Sequence, residues 1–118
     1  MNESDRLWVA GMMSVLGGIR YYKKNVRLIW QITSCQLELL KGIQSKTGMG
    51  ALFGPYNNGR RNPYYRFYIQ GPNLEALFDE LEPHLVEHVA DEGRRAITEW
   101  RNRPIKKPRT KKIASRAD

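Results

Sequence analysis

Val9-Ala10-Gly11-Met12-Met13-Ser14-Val15-Leu16-Gly17 is the stretch on which the reading of this chain turns. Apart from Ser14 its residues are small or apolar, and Gly17-Gly18 closes it, as glycine usually closes a helix. The spacing predicts a helix over residues 7–16. Beyond it, residues 19–24 and 26–33 read as two strands around a tight turn near Lys24-Asn25. The second alternates, with Val26, Leu28, Trp30 and Ile32 on one side and Arg27, Ile29, Gln31 and Thr33 on the other.

Ser34 reads as the N-cap of a helix through Lys46, with Leu37, Leu40 and Ile43 at helical spacing and Gly48 and Gly50 at its exit. A short strand over residues 51–53 precedes a loop dense in turn residues, 54–63. Residues 64–70 read as a fourth strand. Asn73 is placed as the cap of a helix carrying Leu74, Leu77, Phe78 and Leu81. Pro83 interrupts it, and a further helix is expected to about Arg101. The order is α-β-β-α-β-β-α with a C-terminal extension.

In that order, and in the phrases Trp30-Gln31-Ile32-Thr33, Leu37-Glu38-Leu39-Leu40, Tyr65-Arg66-Phe67-Tyr68-Ile69 and Leu77-Phe78-Asp79-Glu80-Leu81, the chain resembles the LAGLIDADG homing endonucleases over roughly residues 7–87. The resemblance implies an α+β fold, αββαββα, with a four-stranded antiparallel saddle sheet and helices on one face. The domain is expected over residues 1–102, followed by a basic flexible tail over 103–118. Residues 9–17 resemble that family's motif, and only one copy of it is present. In the family that implies a homodimer, since two copies of a helix with small Ala10 and Gly11 can approach closely around a two-fold axis. Leu7, Trp8, Ala10, Gly11, Met12 and Ser14 are the expected seam; ordinary core in a monomer is the alternative.

Net charge is +8, and it is segregated. Residues 1–74 hold ten Lys/Arg against three acids, residues 75–93 seven acids and no Lys or Arg, and residues 94–118 ten Lys/Arg against two acids. Segregated charge favours oriented binding to a polyanion. The resemblance puts the free sheet face in a DNA major groove, where a β-ribbon can reach base edges. Alternation then assigns Arg20, Tyr22 and Lys24, then Arg27, Ile29 and Gln31, then Tyr64, Arg66, Tyr68 and Gln70 to that face. A one-residue slip on the fourth strand would exchange its set. Arg20, Arg27, Arg66 and Gln31 have the chemistry to read guanine or adenine. Lys23, Lys24, Arg60 and Arg61 suit phosphates. Lys106, Lys107 and Arg109 suit a phosphate-tracking arm, or alternatively a localisation signal.

The resemblance implies two acidic positions late in the motif, which here read Ser14 and Leu16, with Leu16 at the position of the metal-holding acid. Leu16 offers no side-chain oxygen. Asp5 lies about 17 Å back along the helix at 1.5 Å per residue. No catalytic residue, metal or cofactor is assigned. Lone Cys35 allows no internal disulfide, and His84 and His88 lack a third ligand at metal spacing. With no apolar run long enough to span a bilayer and a polar N-terminus, an intracellular setting is expected. The expectation is a non-cleaving, sequence-specific binder of pseudo-palindromic double-stranded DNA, a homodimer acting as a repressor or a competitor for a nuclease site. The alternatives are a nuclease with relocated ligands, an RNA-binding splicing cofactor, and an interaction module using the tyrosine-rich surface.

Overall fold

A computed structural model describes residues 1–57, 59 and 62–104. Helix α1 spans Glu3–Val15, strand β1 Arg20–Tyr22, β2 Arg27–Ser34, helix α2 Leu37–Thr47, strands β3 Ala51–Tyr56 and β4 Tyr64–Gln70, helix α3 Gly71–Leu81, a 3-10 turn Glu82–His84, and helix α4 Glu87–Arg101. The strands form one antiparallel sheet in the order β1-β2-β4-β3. This is the expected αββαββα order and fold class, completed by α4.

Helix α1 starts four residues earlier than its apolar spacing predicts, because the Asn2 side chain accepts from the Asp5 N–H at 2.7 Å and caps it. Its end is closed from two sides. The Gly18 N–H reaches back to the Met13 carbonyl at 3.2 Å, and the Leu16 N–H to that of Met12 at 2.8 Å. Gly17 and Gly18 both have positive φ, the conformation this turn needs.

Two expected caps fall differently. Ser34 belongs to β2, and its hydroxyl accepts from the Gln36 N–H at 2.9 Å, a local turn that redirects the chain into α2. Asn73 lies inside α3, which begins at Gly71 with Pro72 in its first turn. The longer departure is β3. Gly54-Pro55 reads as a turn, yet the strand runs on to Tyr56 through a register shift between Phe53 and Tyr56. A bulge accommodates both residues at a sheet edge.

Helices cover one sheet face. Leu28, Trp30 and Ile32 of β2 and Phe67 and Ile69 of β4 meet Val9, Ala10 and Met13 of α1, Leu40 and Ile43 of α2, and Leu74, Leu77, Phe78 and Leu81 of α3. Trp30 and Phe67 are fully buried at its centre. Each such side chain stabilises the fold by about 1.5–3 kcal/mol. Helix α4 closes the layer with Val89, Ala96, Ile97 and Trp100 beside β1 and β2, and it comes close to α3 at Gly93. A Cβ at Gly93 would overlap the Phe78 ring.

The acids of residues 75–93 sit on this helical back, and several are engaged there. Glu80 pairs with Arg6, Glu75 with Arg101, and Glu82 and Asp91 with Arg94. Hydrogen bonds from Arg94 to Glu82 and Asp91 raise the Arg94 pKa. No helix among the described residues is long and apolar enough to cross a membrane.

Candidate nucleic-acid interface

The other sheet face carries no helix, and register decides its rows. Arg20 lies opposite Ile29, which lies opposite Gln70. Gln31 lies opposite Tyr68, and Tyr68 opposite Ala51; Thr33 lies opposite Arg66, and Arg66 opposite Phe53. Tyr22 faces Arg27 across β1 and β2. Cross-strand partners share a face, so the parity read from alternation holds on β4: Phe67 and Ile69 point into the core, and Arg66 and Gln70 are exposed opposite to them.

Several expected contacts change character. Ile29 is on the free face but only 2% exposed, and it stands apart from the helix-side core. It is a floor beneath its longer neighbours and not a contact residue. Tyr64 is likewise buried on that face, with the Tyr56 ring 5.5 Å away. Lys24 is exposed in the turn beyond β1, because β1 stops at Tyr22. Arg60, Arg61, Lys106, Lys107 and Arg109 lie outside the described residues. Phe53 and Tyr56 join the face unforeseen, since their alternation is broken by the bulge.

The arginines of this face are held by aromatic rings and an amide. Arg27 donates from Nε to the Gln70 Oε1 at 2.8 Å, and its guanidinium lies 5.2 Å from the centre of the Tyr68 ring. Arg66 stands 5.4 Å over Tyr56, and Phe53 packs on Tyr68 at 5.4 Å. Among the described residues, Arg20, Arg27 and Arg66 form none of the ion pairs seen on the back. The sheet therefore holds exposed positive charge without internal neutralisation, the arrangement that draws a polyanion.

Where α1 ends against the sheet, a recess of about 230 Å3 opens, lined by Gly17, Gly18, Arg20, Tyr22, Gln31 and Thr33 over Ile29. The lining contains one guanidinium and neutral polar groups and no carboxylate. Leu16 turns away and packs partly buried against the core. Its carbonyl, a conceivable cation ligand, instead accepts from the Trp30 indole Nε1 at 3.4 Å. No cluster of three or more His, Cys, Asp or Glu suited to a metal occurs among the described residues.

The expected seam residues divide. Ala10 is 1% exposed and belongs to the chain's own core, and Trp8 packs over Gly42 of α2 with the Lys46 ammonium 5.3 Å from its ring. Met12 also packs against the core, and the Ser14 hydroxyl accepts from the Val86 N–H at 3.3 Å. The outward stripe is Leu7, Gly11 and Val15, spaced by four, with Leu7 53% and Val15 78% exposed. Val15 extends the helical spacing of Leu7 and Gly11, the signal that would have found it. Val86, also exposed, adjoins it through Ser14.

No family model and no curated protein matches the sequence. Solved structures do. A crystal structure of the homing endonuclease I-CvuI with its target in the presence of calcium aligns over 87% of this chain and 71% of its own, at 18% identity and TM-score 0.65. A second, of I-CvuI with the I-CreI target in the presence of magnesium and with its DNA not cleaved, aligns over 85% and 69%, at 17% identity and TM-score 0.64. Topology, the unpartnered sheet face and these alignments agree: the chain has the LAGLIDADG homing endonuclease fold.

Proposed function

We propose that this protein is a sequence-specific binder of duplex DNA that works as a homodimer and does not cut its site. The observation that carries the reading is a contrast on one surface. Among the described residues, the free face keeps Arg20, Arg27 and Arg66 without carboxylate partners, while the recess at the end of α1 is lined without an acid. Metal-assisted phosphodiester cleavage needs a ligand set that stabilises charge and activates water. Neither Leu16 nor Ser14 offers a carboxylate. Cations kept where the acid is missing leave binding without chemistry. I-CvuI, whose fold this chain shares, is bound to DNA in both comparison structures.

The stripe Leu7, Gly11 and Val15 supports the dimer. It is apolar, uncovered in the single chain, and flat at its centre, where a Cβ on Gly11 would meet nothing within 4 Å. Two such stripes around a two-fold axis make an isologous contact, and the DNA site is then a pseudo-palindrome. Occupying a promoter as a repressor, or occupying a nuclease's site as its competitor, is the use that fits a binder without cleavage. Selection of duplexes from a random-sequence pool tests the reading: an enriched inverted repeat is the expected result, and failure to enrich any duplex refutes it.

A further inference from the structure

Arg27, half-buried on the free face, is tied by a side-chain hydrogen bond as well as set over an aromatic ring. Its Nε–H is committed to the Gln70 Oε1 at 2.8 Å, and its guanidinium carbon lies over the Tyr68 ring, 5.2 Å from its centre. Gln70 is opposite Ile29, not Arg27, so the Arg27 side chain runs diagonally along the sheet to reach it. Buried Ile29 lies between them on the same face. Guanidinium chemistry then fixes what remains free. With Nε occupied, the edge left for an outside acceptor pair is the terminal one, formed by the two Nη groups. With Nε held by Gln70 and the guanidinium carbon over Tyr68, that edge has less rotational freedom to lose on binding.

A guanidinium tied at Nε and presented end-on matches the two acceptors, O6 and N7, that guanine shows in the major groove. A phosphate can take the same edge with two oxygens; what favours a base is position, since Arg27 stands in a cross-strand row of the free sheet face and not in the exposed turn of Lys23 and Lys24. We infer that Arg27, positioned by Gln70 and Tyr68, reads one guanine in each half of the bound DNA site. The inference rests on the duplex-binding reading and adds to it the base and the residues that select it. Gln70 and Tyr68 act through Arg27 and are positioning residues.

The test is duplex selection, followed by titration of the enriched site, with wild type and three variants. Arg27→Ala is expected to lose the guanine preference at one position per half-site, with binding falling about 5- to 150-fold for each half-site that carries the guanine and little on duplexes already lacking it. Gln70→Leu, which removes the acceptor, is expected to weaken the same preference and no other. Gln70→Glu keeps an acceptor for Nε and is expected to retain the preference even where its charge lowers affinity on every sequence. Replacing that guanine with 7-deazaguanine, which lacks N7, is expected to reproduce the Arg27→Ala loss in the wild type. Equal weakening of Arg27→Ala on all duplexes would overturn the inference and make Arg27 a phosphate contact. A guanine preference untouched by Gln70→Leu would overturn the positioning role. Failure of the wild type to enrich any duplex would overturn it together with the functional reading.

Discussion

The indole Nε1 of Trp30 donates to the Leu16 carbonyl oxygen at 3.4 Å, tying the centre of the sheet to the last turn of α1. One residue type at each end of that bond has two effects. Trp30 satisfies a carbonyl that the helix leaves open, and Leu16 adds apolar side chain to the core beside the recess. Trp30→Phe keeps most of the packing and removes the donor. The expected cost is about 1 kcal/mol or somewhat more, read from the denaturant midpoint, with secondary structure unchanged by circular dichroism.

Gly11 separates folding from assembly. Nothing lies within 4 Å of a Cβ placed there, so the single chain accommodates a larger residue. Gly11→Leu should hold its fold, even gaining about 0.8 kcal/mol of helix propensity, while losing the dimer and with it specific binding. Sedimentation of the variant should show a folded monomer. A stable dimer binding DNA normally would remove α1 from the interface.

Gly93 is the opposite case. Its missing side chain makes room for the Phe78 ring where α4 meets α3. Gly93→Ala would gain helix propensity elsewhere, but here the overlap should dominate, and the expected net loss is about 1–2 kcal/mol. Urea unfolding measures it.

Much of this architecture is readable from residue pattern. Alternation assigns Leu28, Trp30 and Ile32 to the core and Arg27 and Gln31 to the open face, and the structure agrees. Val26, read into the same core row, lies instead in the turn before β2 at positive φ. Parity alone does not report burial. Ile29 has the expected face and yet is only 2% exposed, set in a row between the longer side chains Arg20 and Gln70. Helix α1 exposes the same limit: small residues suggest close approach without saying to what. Ala10 serves the chain's own core, while Gly11, one residue on and so about 100° around the helix, faces out. The bulge that brings Tyr56 onto the face lies behind Gly54-Pro55, a pair that in one dimension reads as a turn.

Phosphate binding should show in the salt dependence. Lys23 and Lys24 are exposed in the turn between β1 and β2, clear of the base-facing rows. Replacing both with Ala should weaken binding on every sequence alike. It should also flatten the slope of log affinity against log salt by about 0.9 for each phosphate no longer neutralised, or about 3.6 if both lysines of both protomers engage. A change in base preference instead would mean that the turn enters the groove.

Binding without cleavage can be put to the test by holding the enriched duplex, end-labelled, with saturating protein and Mg2+ through a long time course. Full occupancy and intact strands are expected throughout, with or without the metal. Strand breaks at a defined phosphate that depend on Mg2+ would contradict this and make the chain a nuclease whose ligands lie somewhere other than Leu16.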